Sequence, residues 1–93
     1  MISGFEWDEG KAQANLTKHG ISFVEAATVF DDPNCLIMDD PKHSIGEFRF
    51  LILGYSIGQR LLLVVHCDRS STIRIISARP ATPSERQNYE RGN

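Results

Sequence analysis

Two residues near the ends of strand-like runs have side chains that could transfer a proton or bind a phosphate. His66 ends the apolar run LLLVVH, where an imidazole that titrates near neutrality can serve as an acid or a base. Arg79 precedes Pro80, which has no backbone N–H for a sheet ladder, so we expect its guanidinium at a sheet edge, where it would suit a phosphate. Each has an ordinary alternative. His66 would be half-buried and hydrogen-bonded to a turn, and Arg79 would pair with Glu85 or Glu90.

A carboxylate and two further arginines extend this set. Glu47 and Arg49 are two residues apart, so in a strand they share a face and place a carboxylate base beside a phosphate-binding cation. The alternative is that they pair with each other on the surface. Arg74 and Arg79 are an odd number of residues apart, which predicts that they lie on opposite faces of their strand unless a bulge intervenes.

Two helices are predicted in the first third of the chain. Asp8 is a suitable N-cap for a helix over Glu9–His19, and Gly20 follows as a left-handed stop signal. Ser22 then begins a capping box for a second, apolar-faced helix, which ends at the sequence DDP. Both helices therefore precede the main strand signals.

Strand signals fill most of the remaining sequence. A short strand is predicted from Cys35 to Asp40, followed by an acidic loop that ends near Gly46. Runs of apolar, β-branched and aromatic residues separated by short turns predict an antiparallel meander. Its strands span residues 48–54, 61–67 and 72–79. The second strand is apolar on both faces and is expected at the sheet centre.

A capped helix is predicted at the C-terminus. Thr82 is the N-cap, Pro83 stands at the first helical position, and Glu85 completes a capping box. The fold class is therefore α+β, with two N-terminal helices packed on a small antiparallel β-sheet and a short C-terminal helix. The 93 residues form one domain, 1–93.

Charge is unevenly distributed along the chain, whose net charge is −2. Residues 1–59 hold four basic and nine acidic side chains, giving −5, whereas residues 60–93 hold six arginines and three acids, giving +3. Arginine favours bidentate phosphate contacts, although scattered arginines also form solvated faces. The C-terminal third is therefore the predicted anion-binding part.

Hydropathy and cysteine content limit the class of protein. No apolar run approaches the roughly 20 residues needed to span a bilayer, and the N-terminus lacks the basic and apolar regions of a signal peptide. We therefore expect a cytoplasmic protein. Cys35 and Cys67 are too few and too differently placed for a disulfide framework, which predicts reduced thiols.

No metal or cofactor site is predicted. Asp39, Asp40, His43, His66 and Cys67 have ligand-type side chains but no recognisable ligand spacing. The sequence also contains no Gly-rich phosphate loop, nucleophile elbow or CxxC pair.

Two dense motifs stand at the ends of the chain. One is FEWDE running through NLTKHGISF, at positions 5–9 and 15–23, and the other is IISAR leading to TPSE and YE, at positions 75–79, 82–85 and 89–90. Between them stand EFRF at 47–50, GYS at 54–56 and the strand that ends at His66. In order and spacing these segments closely resemble the BrnT family, bacterial toxins of type II toxin–antitoxin pairs that are similar to the RelE group. The resemblance covers almost the whole chain.

The resemblance implies a RelE-like fold and a metal-independent, ribosome-independent endoribonuclease that arrests growth. Its catalytic residues would be His66, Glu47, Arg49, Arg79 and Tyr89. In such a toxin Tyr89 would supply a hydroxyl donor or stack on a base, unless its ring packs on the sheet. The alternative function is a decayed toxin, a non-catalytic module that still binds its antitoxin and modulates repression.

The resemblance also implies partners. The antitoxin would be BrnA-like, of ribbon-helix-helix type, with two copies of each protein in the complex and DNA bound only through the antitoxin. Lys11, Lys18 and Arg74 are the predicted RNA-binding residues. The two lysines are seven apart and share a helical face, which suits an RNA backbone or an antitoxin, although a solvated face is the commoner explanation.

Overall fold

The computed structural model describes residues 4–40 and 48–92. The helices are α1 (Glu9–His19), α2 (Phe23–Thr28) and α3 (Pro83–Arg91), with a 3-10 turn at Val29–Asp31. The strands are β1 (Gly4–Glu6), β2 (Leu36–Asp39), β3 (Phe50–Tyr55), β4 (Leu61–Arg69) and β5 (Thr72–Pro80). The α+β class is confirmed, although strand β1, which was not predicted, precedes the two predicted helices.

The predicted helix ends agree with the structure. The side chain of Asp8 accepts the N–H of Lys11 at 2.9 Å. Gly20 ends α1 with a φ of 70°, a left-handed conformation that glycine adopts without steric cost. At α3, Thr82 and Glu85 form the complete capping box.

The sheet is mixed, and the prediction of a wholly antiparallel sheet is wrong. Its strand order is β1-β5-β4-β3-β2, with β4 at the centre as predicted. β1 pairs parallel to β5, whereas the other three pairings are antiparallel. β1 has only three residues, too few to show an alternating pattern, and its parallel partner lies near the other end of the chain.

The sheet has one face covered by α1 and α2 and one partly covered by α3. Ile21, Phe23, Ala26 and Val29 from the helical layer are buried in the same cluster as Ile52, Leu62, Val64 and Ile75 from the sheet. We call this the α1/α2 face. On the other side, Tyr89 of α3 clusters with Leu53, Leu61 and Leu63. This second side is the α3 face, and the rest of it carries the polar residues of β5.

A β-bulge in β5 changes which residues share a face. Val65 of β4 pairs with Ser77, but the next residue, His66, pairs with Ile75, so Ile76 is an extra residue. Arg79 pairs with Leu63 and Arg74 with Cys67, and these two partners are four residues apart on β4. Arg74 and Arg79 therefore lie on the same face, and their predicted placement on opposite faces is wrong.

Asn15 joins α1 to the edge of β5. Its Nδ2 donates to the carbonyls of Ala78 at 2.9 Å and Ile21 at 3.0 Å, and its Oδ1 accepts the N–H of Ala78 at 3.0 Å. β1 pairs with β5 only as far as Arg74, so Ala78 lies beyond the end of β1. The amide of this buried asparagine thus supplies the hydrogen bonds that a longer β1 would have made.

Replacing Asn15 with alanine should lower the free energy of unfolding by about 2–4 kcal/mol, because each buried polar group left without a partner costs about 1–3 kcal/mol. Urea denaturation measures this change. Thr17→Ala, an exposed change on the same helix, is the control and should alter stability by less than about 0.5 kcal/mol. A loss in Asn15→Ala as small as in the control would show that the amide bonds add little.

Candidate phosphate-binding site

Arg79 projects from the α3 face and is anchored to the first turn of α3. Its Nη1 and Nη2 donate to the two carboxylate oxygens of Glu85 at 2.9 and 2.8 Å. This bidentate bond is the main cause that lowers the pKa of Glu85, and its reciprocal raises the pKa of Arg79. The guanidinium is held in one orientation, yet the side chain is still 38% exposed.

Arg74 lies on the same face and pairs with β1. Its Nη1 donates to Glu6 Oε2 at 3.0 Å, and the hydroxyl of Thr72 donates to Glu6 Oε1 at 3.1 Å. The parallel register places Glu6 directly beside Arg74. The bond from Arg74 is the main cause that lowers the pKa of Glu6. A second cation is thus fixed in position by a carboxylate from another element.

Arg49 joins this face from the other side of β4. The backbone N–H of Asp40 donates to the Arg49 carbonyl at 3.0 Å, so pairing of β2 and β3 continues one residue beyond the strand. The side chain of Phe50 contacts His66 on the α1/α2 face, so alternation places Arg49 on the α3 face. Continuing the β3–β4 register by one residue sets Arg49 opposite Cys67, whose other neighbour is Arg74.

Three of the predicted site residues therefore lie on one face, Arg74 and Arg79 on β5 and Arg49 just before β3, with β4 between them. Several guanidinium groups on one surface can bind a phosphate and stabilise the charge of a phosphorane. Ser77 stands on the same face between Arg74 and Arg79 and adds a hydroxyl, although Ser77 is not among the predicted site residues. Ser77 shares the face of Arg79 by simple alternation, and the bulge adds Arg74 to that face. Glu47, the predicted base, lies outside the described residues.

His66 lies on the opposite face from these arginines. Its ring is 3% exposed and packs against Phe30 and Phe50, at centroid distances of 4.9 and 5.8 Å. Nδ1 is 3.7 Å from Asp68 Oδ1, and neither ring nitrogen has a hydrogen bond within residues 4–40 and 48–92. Burial lowers the pKa of His66, with Asp68 opposing the shift. The structure does not bring His66 together with Arg79.

Tyr89 packs its ring on the sheet, which is the alternative to a catalytic role that the sequence left open. Its hydroxyl donates to Asp32 Oδ2 at 2.6 Å, and the same carboxylate oxygen accepts the N–H of Tyr55 at 2.9 Å. Burial, followed by the bond to Asp32, raises the pKa of Tyr89 to about 12. Tyr89 therefore ties α3 to the segment before β2.

The predicted RNA-binding lysines lie on the opposite side of the sheet from the arginines. Lys11 and Lys18 are exposed on α1, which packs on the α1/α2 face. Of the three predicted RNA-binding residues, only Arg74 lies on the α3 face.

In the part of the chain that the structure describes, no group of three or more His, Cys, Asp or Glu side chains could hold a metal ion. Nor does any described helix have the length and apolarity needed to cross a membrane.

Comparison with known proteins identifies the family of this chain. Residues 7–85 match the family model described as the ribonuclease toxin BrnT of type II toxin–antitoxin systems. The chain belongs to this BrnT family. A crystal structure of the Brucella abortus ribonuclease toxin BrnT has a similar fold, with a TM-score of 0.63 and 24% sequence identity. The match covers 85% of this chain and 96% of that one. A search of curated proteins found no match.

Stability should depend on pH through His66. Because its pKa is lowered in the folded protein, the unfolded chain binds the proton more readily, and stability falls as the pH drops through about 6.5. In His66→Phe this contribution to the slope, at most about 1.4 kcal/mol per pH unit, should disappear, while stability at pH 7 is retained.

Urea denaturation between pH 5 and pH 8 tests this prediction. His19→Gln is the matched control, since it removes a histidine from the end of α1 and leaves the environment of His66 intact. An unchanged slope in His66→Phe would contradict the lowered pKa.

Proposed function

We propose that the protein is a metal-independent endoribonuclease toxin whose α3 face binds the scissile phosphate of RNA. The observation that carries the proposal is the bulge at Ile76, which brings Arg74 onto the face of Arg79, with Arg49 on the same face across β4 from Arg74. In-line attack of a 2′-hydroxyl on the neighbouring phosphate builds negative charge on the phosphorane, and preorganised guanidinium groups stabilise it without reorganising.

The base is proposed from the sequence spacing, and the supporting residues from their packing. Glu47 precedes Arg49 by two residues, so in extended chain its carboxylate would share the α3 face and accept the proton of the 2′-hydroxyl. The departing 5′-oxygen would take its proton from solvent. His66 and Tyr89 are buried on opposite sides of the sheet, and in this proposal they act by packing. His66 supports the α1/α2 face, and Tyr89 holds the helix that carries Glu85.

The proposed biology is that of a RelE-like toxin. In the cytoplasm the free protein cleaves RNA without the ribosome and arrests growth. A BrnA-like ribbon-helix-helix antitoxin neutralises it in a complex with two copies of each protein and binds DNA on behalf of both. Lys11 and Lys18 lie on the other side of the sheet, where they would meet the RNA beyond the cleavage site or the antitoxin.

One observation favours a second function, a non-catalytic module that binds the antitoxin. Arg74 and Arg79 are both already paired with carboxylates, Glu6 and Glu85. If these pairs only hold β1 and α3 to the sheet, the face has a structural role and no cleavage follows. The two functions differ in what the purified protein does to RNA.

The deciding experiment is cleavage of a 5′-labelled RNA by the purified, antitoxin-free protein in EDTA. The endoribonuclease proposal predicts cleavage that EDTA does not alter, with 2′,3′-cyclic phosphate ends, because the 2′-hydroxyl is the nucleophile. Activity that EDTA abolishes would indicate a metal-dependent hydrolase. No cleavage by folded protein would favour the binding module.

Single alanine substitutions of Arg49, Arg74 and Arg79 should each lower kcat by about 10²–10³-fold, the usual effect of removing one donor to a transition-state oxyanion. Arg91→Ala, at the far end of α3, is the charge-matched control and should retain cleavage. Thermal unfolding of each variant separates lost chemistry from lost folding. Equal activity of Arg79→Ala and Arg91→Ala would remove Arg79 from the site.

A further inference from the structure

We propose that the outer edge of β2 binds an extended, basic segment of a partner protein. β2 is the last strand of the sheet, and within the described residues it pairs only with β3. The bond from the Asp40 N–H to the Arg49 carbonyl sets the alternation of the ladder. The backbone N–H and C=O groups of Ile37 and Asp39 therefore point away from β3, where a further strand can pair with them.

The side chains of β2 suit a protein contact. Ile37 is 61% exposed and Met38 is 38% exposed, on opposite faces of the strand. Natural edge strands are commonly protected by lysine, proline or a bulge, and the four residues of β2 include neither lysine nor proline. Apolar side chains beside an open ladder indicate an edge that is covered in a complex.

Charge identifies the kind of segment that fits. Residues 20–40 contain five acidic side chains and no lysine or arginine. Glu25 is paired with Arg60, and Asp32 accepts bonds from Tyr89 and Tyr55. Asp31 precedes β2, Asp39 is its last residue and Asp40 follows it. A second copy of this chain would bring like charges together across the new ladder, which is unfavourable, whereas a basic segment would be attracted.

A cavity of about 280 Å³ lies at the end of β3, lined by residues 28–32 and by the start of the β3–β4 turn. Asp31 and Asp32 contribute carboxylates to its lining, and Tyr55 and Ile57 contribute apolar surface, with Ile57 81% exposed. A lysine or arginine would lay its stem along Tyr55 and Ile57 and its charged head at Asp31. The open edge itself, with exposed Ile37 and Met38 and acidic residues at its end, fits a strand with alternating apolar and basic residues.

The inference rests on the proposed function only in taking the antitoxin as the natural partner. The open ladder, the apolar side chains and the acidic end of β2 do not depend on RNA cleavage. The two can therefore fail separately in the same set of experiments.

The test is binding of a fluorescein-labelled octapeptide, KVRVKVRV, measured by fluorescence anisotropy, with EVEVEVEV as the charge-reversed probe. Wild type should bind only the basic peptide. Ile37→Pro removes an outward N–H but none of the bonds to β3, and it should raise the Kd at least about tenfold. Asp31→Asn with Asp39→Asn should also weaken binding, and more so at low salt than at high salt.

Ile37→Lys is a second test variant, and Val24→Lys is its matched control. Both replace an exposed β-branched residue with lysine, but Val24 is on α2, away from the edge. Ile37→Lys should weaken binding, and Val24→Lys should not. This pair keeps the test valid if Ile37→Pro folds poorly.

Three results would overturn the inference. The first is equal binding of the two peptides, and the second is wild-type affinity in both Ile37 variants. The third is a wild-type dimer in sedimentation that Ile37→Lys dissociates, because a second copy of the chain would then be the occupant. RNA cleavage by the same proteins separates the two proposals. Wild type that binds the peptide at β2 but leaves RNA intact supports this inference and contradicts the endoribonuclease. Wild type that cleaves RNA but ignores the peptide does the reverse.

Discussion

The buried amide of Asn15 is the interaction on which the arrangement of helices and sheet depends. β5 needs a partner on its outer edge after β1 ends, and Asn15 supplies both a donor and an acceptor to Ala78 while also holding the Ile21 carbonyl that follows α1. A single side chain therefore fixes the end of α1, the start of the turn to α2 and the edge of β5. Buried backbone groups must be paired, and a side-chain amide is the shortest group that presents both bonds in the geometry of a strand.

The arginine face is built on that fixed edge. Ile76 bulges from β5 two residues before Ala78, and the bulge turns Arg74 onto the face of Arg79. Each of these arginines is oriented by a carboxylate from a different element, Glu6 of β1 and Glu85 of α3. Such pairs hold each guanidinium in one orientation. At the proposed phosphate site, the same carboxylates would compete with a bound phosphate and so would limit its affinity.

His66 and Tyr89, two further titratable groups, lie on opposite faces of the sheet. His66 is enclosed by aromatic rings on the α1/α2 face, where low polarity favours its neutral form. Tyr89 and Asp32 form a buried hydroxyl–carboxylate bond on the α3 side, which fixes the last helix against the segment that leads into β2. Both groups have the residue types of catalytic acids and bases, and in both the surroundings are those of packing. Residue type alone does not distinguish the two roles.

Some features of this protein follow from local sequence, and others exist only in the folded chain. Asp8, Gly20 and the Thr82–Glu85 box act on groups within four residues, so the helix ends could be predicted, as could the central place of β4 from its two apolar faces. β1 could not, because three residues carry no period and their partner is distant in sequence. The shared face of Arg74 and Arg79 was likewise hidden, since a bulge arises from pairing between strands rather than from the spacing within one. The environment of His66 depends on Phe30 and Phe50 from separate elements. The sequence by itself determined the family, the class of fold and the list of candidate side chains. Only the tertiary structure decided which of them meet, because strand register and burial are set by contacts between residues far apart in the chain.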